Sequence, residues 1–97
     1  INMTVTVGKN HLQTQKYSYT WRRDESDSSY KGTSDRVKVD KDEGYEVAYF
    51  ITKFMNKHNL KNVSNVHEIE DALHHPDLSA VVYRDELIAA IEEKLGY

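Results

Sequence analysis

The chain contains no cysteine among its 97 residues. Disulfides, thiolate nucleophiles and cysteine-ligated zinc sites are therefore excluded, and folding needs no oxidising compartment. The absence of cysteine favours a cytoplasmic location.

Long hydrophobic runs are absent as well. No stretch of about 18 apolar residues could form a membrane span, and the opening INMTVTV has neither the charged nor the apolar region of a secretory signal. We therefore expect no membrane partner. A chain of 97 residues is also too short for two independent cores, so we predict a single domain over residues 1–97.

Motifs for catalysis and for cofactors are missing too. None of the serines lies in a nucleophile-elbow or SxxK context, and no glycine-rich phosphate loop precedes a helix. The five histidines do not form an HExxH sequence. The sequence therefore predicts a protein that is not an enzyme and that binds no cofactor.

Alternation of apolar and polar residues marks three segments in the first 40 residues. Valine, tyrosine and tryptophan alternate there with threonine, serine, lysine and arginine, which is typical of half-buried strands. We predict strands at about 2–8, 15–23 and 35–40, joined as a three-stranded antiparallel meander.

The period changes to that of a helix after residue 41. Apolar residues at helical spacing predict one long helix at about 43–58, with Asp42 as its cap, and two shorter helices at about 65–75 and 84–95. Asn65 and Glu68 have the spacing of a capping box, and Gly96 ends the last helix. The expected fold class is therefore α+β, with the meander packed on the long helix.

Charge is distributed unevenly along the chain. Residues 1–39 carry seven basic and four acidic groups, a net charge of +3, whereas residues 40–97 carry six basic and twelve acidic groups, a net charge of −6. Such asymmetry gives information about partners rather than about fold.

An acidic surface on the helical half is the basis of the leading functional hypothesis. Its residues are Asp42, Glu43, Glu46, Glu68, Glu70 and Asp71. They predict a non-catalytic module that binds a basic protein partner, with self-association as one form of it. The structural alternative is that these carboxylates lie on ordinary solvated faces of the helices.

The basic first half gives the alternative hypothesis of nucleic-acid binding. Aromatic side chains beside cations can stack single-stranded bases. The candidate residues are Lys16, Arg22, Arg23, Arg36 and Lys38, next to the aromatic series Tyr17, Tyr19 and Trp21. Alternation, however, places the aromatic rings and Arg22 on opposite faces of the predicted strand, so they cannot easily contact the same ligand; the structural alternative is that the rings face the core helix.

A metal site is the second alternative. His67, Asp71 and His74 follow one another at helical spacing and would share one face of the helix at 65–75. Imidazole and carboxylate groups suit zinc and similar ions. The structural alternative is a polar helix end, where histidine is favoured by the helix dipole.

Overall fold

Three α-helices form the main regular structure of the computed structural model, which describes residues 4–22 and 37–97. Helix α1 spans Gly44–Lys57, α2 spans Val63–Leu73 and α3 spans Arg84–Leu95. Single 3-10 turns occur at Lys9–His11 and Pro76–Leu78. None of the described helices is long and apolar enough to cross a membrane.

The core lies between the three helices. Helix α2 packs against both α1 and α3. The side chains at the centre are almost fully buried: Val47, Phe50, Ile51, Phe54, Met55, Ile69, Leu73, Leu87 and Ile91. Burying residues of this size contributes roughly 1.5–3 kcal/mol each relative to exposure, so the helical half holds most of the hydrophobic stabilisation.

Helices α1 and α3 run in the same direction. Near their beginnings, the Arg84 guanidinium lies 5.6 Å from the ring centroid of Tyr49. Near their ends, the Glu92 carboxylate accepts hydrogen bonds from Lys57 at 2.6 Å and from His58 at 2.8 Å. These two contacts define the relative direction of the helices.

The caps of α1 and α2 differ from those predicted. The side chain of Glu43, not that of Asp42, accepts from the backbone N–H groups of Tyr45 and Glu46 and so satisfies the first turn of α1. At α2 the helix begins two residues early, and Asn65 Oδ1 accepts from the backbone N–H of Asn62. Helix α3 occupies the predicted range and ends at Gly96, whose φ of 81° is accessible to glycine.

The predicted three-stranded meander is wrong. The residues that the structure describes contain no β-strand, and only two isolated bridges occur, Thr20 with Glu43 and Lys38 with Tyr83. The domain is therefore mainly helical rather than α+β. Positions 2 and 3, position 23, and positions 35 and 36 of the predicted strands lie outside the described residues.

The first alternating segment bonds to a helix instead of to another strand, and the second begins with a turn at residues 14–17. Residues 4–22, which we call the arm, lie across α1 and α2. Val5 N–H donates to Asn56 Oδ1 at 2.8 Å, the Val5 carbonyl accepts from Asn56 Nδ2 at 3.0 Å, and Val7 N–H donates to Thr52 Oγ1 at 2.9 Å. Helix side chains therefore satisfy backbone groups that a neighbouring strand would otherwise satisfy.

The third predicted strand is likewise a short extended contact. Val39 N–H donates to the Val82 carbonyl at 2.8 Å, and Arg84 N–H donates to the Val37 carbonyl at 2.8 Å. Two bonds to the segment before α3 are too few to form a ladder, so the alternation around Lys38 produces a bridge and not a strand.

Candidate functional site

A polar cluster joins the arm to the C-terminal half of α2. It consists of Gln13, Lys16, Tyr17 and Tyr19 from the arm and Glu70, Asp71 and His74 from α2 and its C-cap. Six of its seven side chains are titratable, and hydrogen bonds link them, so we consider it first as a functional site.

Glu70 is the centre of the polar cluster and is fully buried. Its carboxylate accepts from the backbone N–H of Gln13 at 2.9 and 3.1 Å, from Gln13 Nε2 at 3.0 Å and from the Tyr19 hydroxyl at 2.6 Å. A buried carboxylate is costly unless donors surround it, and here the arm supplies all three donor groups.

Asp71 forms the outer part of the polar cluster. Its Oδ1 accepts from the Tyr17 hydroxyl at 2.6 Å, from Gln13 Nε2 at 2.9 Å and from Lys16 Nζ at 3.0 Å. Partial burial alone would raise the pKa of Asp71, but the hydrogen bonds from Tyr17, Lys16 and Gln13 hold that pKa below its ordinary value. The carboxylate is therefore charged at neutral pH.

The hydroxyl of Tyr19 has one hydrogen and two partners. Because that hydrogen is donated to Glu70, the Tyr19 oxygen must accept from His74 Nε2, which lies 2.8 Å away. Nε2 of His74 therefore carries a proton. The His74 ring also stacks on Tyr17, with ring centroids 4.1 Å apart and an angle of 23° between the planes.

Burial controls the ionisation of the rings in the polar cluster. Desolvation and the hydrogen bonds to Asp71 and Glu70 raise the pKa values of Tyr17 and Tyr19 well above the usual range, so both hydroxyls stay neutral. Desolvation lowers the pKa of His74 despite the nearby carboxylates of Glu70 and Asp71. At neutral pH the ring is uncharged.

Lys41 lies close to the polar cluster and affects it electrostatically. Its Nζ donates to the Leu78 carbonyl at 2.6 Å, and burial lowers the pKa of this amine. Lys41 opposes protonation of His74, whereas Asp42 favours it. Charges of both signs therefore surround the His74 imidazole.

Internal hydrogen bonds fully account for the polar cluster. Within residues 4–22 and 37–97, no buried side-chain nitrogen or oxygen lacks a hydrogen-bond partner. Neutral tyrosines that donate to carboxylates are poorly suited to act as bases or nucleophiles, because each hydrogen is already committed. The arrangement is therefore suited to holding the arm against α2.

The three predicted metal ligands point to different partners. His67 Nε2 lies 3.1 Å from the His11 carbonyl, His74 bonds to Tyr19, and Asp71 accepts from the arm. No three histidine or acidic side chains in the described part of the chain are grouped so that they could hold a metal ion. The geometry gives the metal hypothesis no support.

Three of the six residues of the predicted acidic surface are buried, and the other three are at least partly exposed. Glu43, Glu46 and Glu70 are 3%, 5% and 0% exposed, whereas Asp42 and Glu68 are exposed and Asp71 is half-buried. Glu46 Oε1 accepts from the Asp40 backbone N–H at 3.2 Å. Half of the six carboxylates therefore organise the fold and are inaccessible to a partner.

The aromatic series is packed inward. Tyr19 and Trp21 contact the core, and all three rings are only partly accessible. Gly44 lies so close to the six-membered ring of Trp21 that a Cβ added there would be 2.2 Å from a ring carbon. Lys9 Nζ lies 4.5 Å from the centroid of the same ring.

The predicted basic residues do not form one surface in the described part of the chain. Lys16 contacts α2, Lys38 Nζ lies 5.7 Å from the Tyr83 ring before α3, and the exposed Arg22 lies beside the beginning of α1. Arg23 and Arg36 lie outside the described residues. Because the ring faces are covered by other parts of the chain, the nucleic-acid hypothesis gains no support.

Sequence reasoning missed the link between the arm and α2. One signal could have indicated it, because Glu70 lies four residues after Val66 and three before Leu73, within the apolar stripe of α2. A carboxylate in such a stripe needs donors from another segment. The sequence does not reveal that Gln13 and Tyr19 supply them.

No protein-family model, curated protein or solved structure matches the chain.

Proposed function

We propose that this domain is a non-catalytic protein-interaction module that binds a basic partner through its exposed acidic residues. The observation that carries the proposal is the internal satisfaction of the polar cluster, which uses its titratable side chains to hold the arm. A partner would therefore bind to the surface of the domain, where the exposed charged residues are unevenly distributed.

The outward face of α3 is the best candidate for the contact. Glu86, Ala89 and Glu93 are exposed and share one side of the helix, whereas α1 exposes Lys53 and Lys57. The small side chain of Ala89 leaves room for a partner helix to approach. Complementary charge of this kind favours encounter and orientation more than affinity.

Binding of a lysine-rich helical peptide tests the proposal. Fluorescence anisotropy of the labelled peptide at low salt should show weak binding that decreases as salt is added, because surface charges are screened. Replacing Glu86→Lys and Glu93→Lys together should abolish the binding. Asp42→Lys with Glu68→Lys reverses two exposed charges outside α3 and changes the net charge by the same amount, so it is the matched control and should retain most of the binding.

Two results would contradict the proposal. The first is no binding by the wild-type chain at low salt. The second is equal loss in the α3 double variant and in the Asp42→Lys, Glu68→Lys control, since net charge alone would then explain the effect. A cytoplasmic location belongs to the same proposal and is supported by the lack of cysteine.

A further inference from the structure

The beginning of the arm has one bonded edge and one open edge. Backbone groups of Val5 and Val7 face α1 and bond to Asn56 and Thr52. In an extended chain, the N–H and C=O groups of alternate residues point to opposite edges. Those of Thr4 and Thr6 therefore point away from α1, and no hydrogen bond from the described residues reaches them.

Burial follows the same alternation. Thr4 and Thr6 are exposed, Val5 is half-buried and Val7 is 7% exposed. An exposed edge made of β-branched residues is a template for pairing with another extended chain. Proteins commonly protect such edges with charge or proline, but residues 4–8, TVTVG, contain neither.

We propose that a second copy of this chain pairs with the open edge, so that two arms form an antiparallel strand pair across Thr4 and Thr6. This self-association is separate from the α3 contact proposed above and does not rest on it. We choose a second copy as the partner because the two-fold axis of a homodimer places the same segment of each chain opposite itself.

The register follows from which residues are free to bond. If the axis passes beside Val5, Thr4 of one copy lies opposite Thr6 of the other, and each such pair exchanges two backbone hydrogen bonds. The exposed threonine side chains then meet on one face, a favourable cross-strand pair. Val5 lies opposite its own copy on the face that packs on α1.

The other extended part of the arm suits a second copy less well. It ends in the exposed Arg22, and the cations of two identical chains brought together there would repel each other. Residues 4–7 carry no charge. Pairing between identical chains is therefore favoured at Thr4 and Thr6.

Sedimentation velocity over a range of protein concentrations tests this inference. Because a short strand pair is marginal by itself, we expect monomer at about 10 μM and a growing dimer fraction toward about 1 mM, the range of weak association. Thr6→Pro removes an N–H that is unbonded in the monomer and should abolish the dimer. Thr6→Ser keeps that N–H and should dimerise like the wild type.

A second variant separates loss of pairing from loss of folding. Thr4→Lys combined with Thr6→Lys keeps every backbone group but places cations opposite each other, so it should remain monomeric while its far-UV circular dichroism stays unchanged. A wild-type chain that is monomeric throughout, or a Thr6→Pro variant that dimerises normally, would overturn the inference. Charge reversal on α3 should not change the dimer fraction.

Discussion

The arm and the helices satisfy their backbones in different ways. Each helix bonds its N–H and C=O groups within itself, so its stability comes from an apolar face packed in the core. The arm bonds to specific side chains of the helices: Asn56, Thr52, Glu70 and Glu43. Its attachment thus depends on a few polar side chains rather than on a shared ladder.

This difference means that the two regions should respond differently to substitution. The helical core can tolerate changes that preserve apolar volume, because many contacts share its stabilisation. The arm should detach when one well-placed acceptor is removed. The chain has one tryptophan, Trp21, and it lies in the arm, so its fluorescence reports this attachment directly.

Glu70→Ala should produce the largest effect. It removes the acceptor for the Gln13 backbone and the Tyr19 hydroxyl, and leaving buried donors without partners should reduce the free energy of unfolding by about 3 kcal/mol. Urea unfolding followed by fluorescence measures this loss. Emission of Trp21 should also shift to the red before the helical circular dichroism decreases.

Glu68→Ala is the matched control for that experiment. Glu68 lies on the same helix two residues earlier but is exposed, so its replacement should change stability by less than about 0.5 kcal/mol. Equal effects of the two substitutions would mean that Glu70 does not hold the arm.

Gly44→Ala should produce the next largest effect. The added Cβ would lie 2.2 Å from a ring carbon of Trp21, so the ring must move, at a cost of about 2 kcal/mol. Gly8→Ala is the control, because a Cβ there meets its nearest atom at 3.4 Å. Thermal unfolding compares them, and a Gly44→Ala variant as stable as Gly8→Ala would show that Trp21 does not pack at this position.

The pH dependence should give a smaller effect centred on His74. Burial lowers the pKa of His74 in the folded chain, so the unfolded chain binds more protons and the free energy of unfolding should fall as the pH decreases from about 7. The lowered pKa of Asp71 acts in the same direction at lower pH. The raised pKa values of Tyr17 and Tyr19 should reduce stability above about pH 10.

Denaturant titrations at several pH values separate His74 from the other histidines. His74→Gln should flatten the decrease in stability between about pH 7 and pH 5. His75→Gln replaces the neighbouring histidine, which is not part of the polar cluster, and is the matched control for the substitution itself. An unchanged slope in His74→Gln would exclude this residue as the origin of the acid sensitivity.

Periodicity alone predicted the helices to within a few residues. The stripe of Val47, Ile51, Phe54 and Met55 repeats over the whole of α1, and long repeats leave few alternatives. In the arm, alternation predicted strands, but the described residues there form only isolated bridges. An extended segment has a period of two whether its backbone bonds to a neighbouring strand or to helix side chains, so the pattern could not indicate the partner.

The candidate site was less predictable than the fold. The sequence placed Glu43, Glu46 and Glu70 on an acidic surface, since carboxylates on helices are usually solvated. Their burial depends on donors from distant segments, such as Gln13 for Glu70 and Arg22 N–H for Glu43. Such pairings arise only from tertiary structure and leave no local pattern.

Amide hydrogen exchange in the arm, followed by nuclear magnetic resonance at a concentration where the chain is monomeric, tests the central claim most directly. If helix side chains hold the arm, the amides of Val5, Val7 and Gln13 should be protected, whereas those of Thr4 and Thr6 should exchange nearly as fast as in an unfolded chain. Protection at Thr4 and Thr6 equal to that at Val5 and Val7 would indicate strand partners on both edges and would contradict the account.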